Sequence, residues 1–212
     1  MTLPRLVSAG LGRRGGGRVV LTQEGLESFD FASGRLTALA DPEADIPDNR
    51  FNDGKCERQG RLWAGTMRLD ASRPSGSLYA IAPDLSWQRQ ESGLTVANGL
   101  DWSPDGRTFY FVDSAHSRIY AYAFDAKAGT LADRRVFAEV AGRPDGLAVD
   151  AEGFVWCAIW DGWCLHRYAP DGRLDREVWL PVPRPTSLAF GGQDLKTLFI
   201  TTARIQIGRA HV

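Results

Sequence analysis

The feature that most constrains this chain is a weak internal repeat of roughly 45 residues. Asn98-Gly99-Leu100-Asp101-Trp102-Ser103-Pro104-Asp105-Gly106-Arg107 aligns with Asp145-Gly146-Leu147-Ala148-Val149-Asp150-Ala151-Glu152-Gly153-Phe154. Asp53-Gly54 falls in the same register one unit earlier, with Gln59-Gly60-Arg61 as its turn. Thr186-Ser187-Leu188-Ala189-Phe190 continues the series, and Val7-Ser8-Ala9-Gly10-Leu11 is a poorer match at the start. Units of this length, each holding several short strands, have the spacing of propeller blades. Five partial units are readable, the first and last incomplete, so the ring is not expected to close.

Within a unit, the first strand is expected to follow the Asx-Gly pair. A turn at Asp105-Gly106 leads to a second strand over residues 108–112, a strictly alternating third over 118–124 and an outer one over 135–139. The next unit repeats this over 154–159, 164–169 and 176–180. Amphipathic helices are absent, so the chain reads as all-β. In a ring of blades the inner strands begin at one central channel. Asp53, Asn98 and Asp145 are therefore expected to meet there although they are distant in sequence. The oxygen-bearing side chains of Asn98 and Asp145 suit a hard divalent cation such as calcium or magnesium. Asn98 and Asp145 alone are too few, so a third carboxylate or several waters must complete the set.

Residues 49–67 split into two physically different halves. Arg50-Phe51-Asn52-Asp53-Gly54-Lys55 crowds a guanidinium, two oxygen-bearing side chains and an ammonium around one expected turn, while Arg61-Leu62-Trp63-Ala64-Gly65-Thr66-Met67 alternates like a strand. A plain Asx-Gly turn is the competing reading. Asp105-Gly106 and Asp171-Gly172 follow proline and precede arginine, which is ordinary turn chemistry. The tryptophans sit mostly at strand positions and are expected to pack between blades, with Trp160 and Trp163 around Asp161-Gly162 the best candidates for a sugar-stacking role. The histidines have no partner at metal-ligand spacing, and no Gly-x-Ser-x-Gly elbow is present.

Composition excludes several classes. The 212 residues carry 25 basic and 26 acidic side chains, net −1, which argues against nucleic acid or an anionic membrane as partner. No apolar run approaches the ~20 residues of a membrane-crossing helix. The 3 cysteines, Cys56, Cys157 and Cys164, show no paired metal spacing and point to a reduced, cytoplasmic protein. Cys56 and Cys157 are expected to be buried. The oligomeric state is open.

With these residues in hand, the chain resembles the SMP-30/gluconolactonase/regucalcin-like family of six-bladed β-propellers. The matching strings are Arg50-Phe51-Asn52-Asp53-Gly54-Lys55 with Trp63-Ala64-Gly65-Thr66-Met67, then Asn98-Gly99-Leu100-Asp101-Trp102-Ser103, then Pro144-Asp145-Gly146-Leu147-Ala148-Val149-Asp150. Phe190-Gly191-Gly192 and Thr201-Thr202-Ala203-Arg204 also fit. The resemblance implies metal-dependent hydrolysis of a sugar lactone, using one divalent ion (calcium, zinc, magnesium or manganese). It implies Asn98 and Asp145 as metal ligands, Asp145 also as acid/base, and Arg50, Asn52 and Asp70 as substrate-binding residues. The family's N-terminal glutamate ligand, in a Gly-Glu-Gly/Ser-Pro context, has no counterpart here; Glu24 stands in a different context.

The expected organisation is thus a propeller over residues 1–206, an incomplete ring lacking about the first blade and the closing strands. Residues 207–212 match no strand of the repeat and correspond to one reading frame of a common sequencing adapter, so they are expected to be a non-native tail and His211 to carry no function. The alternatives to a lactonase are a non-catalytic ligand- or calcium-binding propeller, and a fragment inactive without the missing glutamate.

Overall fold

The computed structural model describes residues 5–13 and 16–204; the tail expected over 207–212 lies outside them. Among the described residues are four four-stranded antiparallel sheets and a two-stranded one, each formed from strands consecutive in sequence. The first sheet holds β1 (Val7–Gly12), β2 (Arg18–Thr22), β3 (Gly25–Phe29) and β4 (Leu36–Ala40); the second holds β5 (Asn49–Cys56), β6 (Leu62–Arg68), β7 (Gly76–Ile81) and β8 (Trp87–Leu94). The third holds β9 (Ala97–Trp102), β10 (Thr108–Asp113), β11 (Arg118–Asp125) and β12 (Thr130–Glu139); the fourth holds β13 (Arg143–Val149), β14 (Val155–Trp160), β15 (Cys164–Tyr168) and β16 (Leu174–Trp179). A hairpin of β17 (Pro185–Gly191) and β18 (Thr197–Thr202) follows. Among the described residues the one helical turn is a 3-10 turn at Ser114–His116. The first strands β1, β5, β9, β13 and β17 neighbour one another in that order, which makes the sheets blades of a β-propeller with these strands innermost.

The middle strands lie where alternation placed them. Other features differ. The first unit is a complete four-stranded sheet, and β12 begins five residues earlier than expected. More consequential, the Asx-Gly pairs stand inside the inner strands, not ahead of them, and residues 50–55 belong to β5, not to a turn.

Each inner strand carries an extra residue relative to its partner. The pairing shifts between Val7 and Ala9, between Phe51 and Asp53, opposite Phe111 and Asp113 for β9, between Pro144 and Leu147, and between Pro185 and Ser187. These are β-bulges, which kink a strand and re-aim a side chain. In this register Ser8, Asn52, Asn98, Asp145 and Thr186 are equivalent, so the counterpart of Asn98 and Asp145 is Asn52, not Asp53. The glycines have a physical cause different from a turn. A Cβ on Gly99 would lie 2.3 Å from the Leu147 nitrogen, and one on Gly146 would lie 2.3 Å from Ser187 Oγ. Neighbouring inner strands pass too close there for a side chain.

Between blades the packing is apolar and aromatic. Trp63, fully buried, meets Phe109 at 5.1 Å and Phe124 at 5.6 Å between ring centres, and Trp102 meets Phe109 at 5.3 Å. Truncating such a core aromatic costs about 3–5 kcal/mol. The packing role expected for these tryptophans holds, whereas Trp87, Trp163 and Trp179 are exposed. Cys157 is buried as expected, but Cys56 is exposed, because it ends β5 at the sheet margin.

Candidate functional site

All five bulge residues line one cavity of about 620 Å³. Arg50, Phe51, Asp53, Val96, Ser114, Arg143, Trp160 and Ser187 complete much of its wall. This volume falls within the range of small-molecule sites. Of the residues singled out from sequence, Asn98, Asp145, Arg50 and Asn52 are brought together. Asp70 is not. It is exposed, its carboxylate is held by Arg68 at 3.0 Å and by the Ser72 backbone N–H at 3.0 Å, and only its neighbour Ala71 reaches the wall.

A polar chain fixes the bulges from behind. Asn52 Nδ2 donates to the Ala97 carbonyl on the next inner strand at 2.7 Å. Asn98 Nδ2 donates to Ser114 Oγ at 3.0 Å, and Ser114 donates to the Pro144 carbonyl at 2.6 Å, so the residue beside Asp145 is tied to Asn98 through one hydroxyl. Ser114 is held in turn by the 3-10 turn, which the fully buried Asp113 caps while accepting the backbone N–H groups of Thr95 and Val96 at 3.1 and 3.0 Å. Sequence reasoning missed Ser114 and Asp113. The only signal was the short polar run after β10.

The electrostatics of the cavity are unbalanced. Burial, and next the nearby Asp53 carboxylate, push Asp145 up to about 7, against the opposing pull of the Asn98 amide, the Gly146 N–H and Arg143. Burial pushes Asp53 up to about 6, opposed by the Gly54 N–H and Lys55. Burial also lowers Arg50 from the usual arginine value. Two desolvated carboxylates, Asp53 adding to the upward shift of Asp145, form with an amide an all-oxygen set that a hard divalent cation would relieve. Among the described residues no three His, Cys, Asp or Glu side chains gather as a metal group. The protein donors are therefore two carboxylates and one amide, with Asp53 the third oxygen side chain that Asn98 and Asp145 lacked. It occupies the register that glycine fills at 99 and 146. The residues present fit such an ion with water completing the shell.

Fold and site together define a β-propeller with a polar small-molecule cavity where its inner strands bulge. The chain belongs to the SMP-30/gluconolactonase/LRE-like family, whose model matches residues 1–204. It is 36% identical to regucalcin of Danio rerio over 97% of this chain and 71% of the relative. It is 38% identical to a 6-deoxy-6-sulfogluconolactonase of Pseudomonas putida over 91% of this chain and 67% of the relative. The structure of a calcium-binding regucalcin from Agrobacterium tumefaciens superposes with a TM-score of 0.92 at 33% identity, covering 99% of this chain and 72% of that one. The chain spans between 58% and 71% of the length of such curated relatives. Among the described residues, no helix is long and apolar enough to cross a membrane.

Proposed function

We propose that the protein hydrolyses a sugar lactone to its aldonic acid with one divalent cation held by Asp145, Asn98 and Asp53. The observation that carries this reading is the gathering of the bulge residues of separate blades in one cavity, in a family that includes lactonases. A bound divalent ion supplies a Lewis acid for the lactone carbonyl and charge to stabilise the oxyanion. Asp145 takes a proton from the attacking water as its oxygen bonds the carbonyl carbon. It then delivers that proton to the ring oxygen as the carbon–oxygen ring bond breaks. Arg50 and Asn52 hold the sugar hydroxyls so that the carbonyl faces the water. Calcium, magnesium, zinc and manganese all suit an oxygen set of this kind. The three free cysteines support a cytoplasmic location.

The test is a pH-stat assay of several aldonolactones with the full chain, with EDTA and then with each ion restored. Acid release that stops with EDTA and returns with an ion is the expected result; no acid release above the spontaneous rate under any ion contradicts the reading. A second reading, a cation-binding propeller without turnover, is favoured by a donor set of only two carboxylates and an amide. It predicts ion binding with no acid release.

A further inference from the structure

Among the described residues, four ionisable side chains line the cavity: Arg50, Asp53, Arg143 and Asp145. A divalent ion at the two carboxylates would neutralise them and leave two guanidiniums without a counter-charge. Their placement follows from the bulges. One level outside the bulge ring, two residues before each bulge residue, stand Leu6, Arg50, Val96, Arg143 and Arg184. Arg184 is taken up by Asp161 at 2.7 Å. Arg68, in the neighbouring β6, is likewise taken up by Asp48 and Asp70 at 2.8 and 3.0 Å. Arg50 and Arg143 make no ion pair to any described residue. Arg50 spends one N–H on the Phe51 carbonyl at 2.9 Å, and Arg143 makes no side-chain hydrogen bond to a described residue. Arg143 pairs across the strand with Trp160, which also lines the cavity.

A neutral sugar lactone does not require two guanidiniums; its hydroxyls can be met by Asn52, Thr186 and one edge of Arg50, which leaves Arg143 and the remaining N–H groups of Arg50 without a partner. Guanidinium forks match the oxygens of an anion, and partly desolvated ones are stabilised by it. We propose that the ligand of this cavity carries, besides the lactone ring, an anionic substituent (phosphate, sulfonate or carboxylate) bound between Arg143 and Arg50, with Arg143 the specificity-determining residue. This rests on the lactonase reading for the identity of the ring, but not for the charge preference. The plainer account is that Arg143, at an exposed rim, only offsets the charge of Asp145. In that case its loss would affect ligands with and without the added anionic substituent alike.

The experiment measures dissociation constants by calorimetry for gluconate and 6-phosphogluconate, ring-opened acids that bind without being turned over. The full chain is compared with its Arg143→Gln and Arg143→Lys variants. The expected result is 6-phosphogluconate binding at least about tenfold tighter than gluconate, a difference of about 1.4 kcal/mol. Arg143→Gln is expected to bring the ratio within about twofold with gluconate affinity little changed, and Arg143→Lys to restore part of it. A ratio near one in the unaltered chain, an unchanged ratio in Arg143→Gln, or no binding of either acid overturns the proposal. Neutral lactone hydrolysis with a ratio near one would condemn the charge preference alone. A strong preference with no hydrolysis would condemn the lactonase reading alone.

Discussion

Glu43 and Asp145 are both carboxylates drawn into the interior, and they are treated in opposite ways. Glu43, in the loop before β5, accepts hydrogen bonds from Asn49 at 2.8 Å, Thr66 at 2.9 Å and the Tyr79 hydroxyl at 3.0 Å. It therefore ties that loop to three strands of the second blade. Asp145 has an amide and a backbone N–H beside it, but it also faces a second carboxylate. The arginines divide likewise. Arg167 is buried among Asp150, Glu152 and Asp175 and lies 3.4 Å over the Phe154 ring, whereas Arg50 and Arg143 open on the cavity. Satisfied polar groups hold the blades. Arg50 and Arg143, without an ion pair to any described residue, instead face the same cavity as Asp53 and Asp145, where a ligand can meet them.

The contrast can be broken by mutation. Asp145→Asn is expected to lower lactone turnover by about two to four powers of ten while leaving the melting temperature of the metal-free chain unchanged or higher; retention of most of the rate would end the assignment. Glu43→Ala should do the reverse. Three buried donors lose their acceptor, at a cost of about 3 kcal/mol or more, seen as a lower denaturant midpoint. If stability is unchanged, the network around Glu43 is not structural.

A subtler effect follows from pH. The folded-state values of about 7 for Asp145 and about 6 for Asp53 lie above the unfolded aspartate value of about 3.9. The folded chain therefore binds the extra protons. The resulting penalty is absent below about pH 4, grows as the pH rises and is complete above about pH 7. In EDTA the melting temperature, relative to that of the Asp53→Asn/Asp145→Asn double variant, should fall by several degrees across that window. Saturating calcium should flatten the difference. A relative melting temperature that falls on acidification would show that the sign is wrong. The smallest effect is expected for Asp70→Asn, within about twofold in turnover, because its carboxylate is exposed and pairs only with Arg68 and a local backbone N–H outside the cavity. A loss above tenfold would show that Asp70 leaves Arg68 to bind substrate.

The blades were legible because alternation in residues 108–112 and 118–124 and a repeating Asx-Gly mark are local signals. The convergence of Asn98 with Asp145 was legible because a repeated register in a ring implies it. The bulge was not. An Asx-Gly pair reads as a turn from its own residues, and only the approach of the next inner strand to Gly99 and Gly146 shows why glycine stands there. The same gap set Asp53 one residue out of register and hid Ser114, whose role depends on the Pro144 carbonyl of another blade.

The most direct test of the account is a calorimetric titration of calcium into the metal-stripped full chain, beside its Asn98→Ala and Asp145→Asn variants. One site in the unaltered chain, weakened at least about tenfold in both variants, is the predicted result. Equal binding in all three proteins would mean that the side chains of the third and fourth blades do not share an ion.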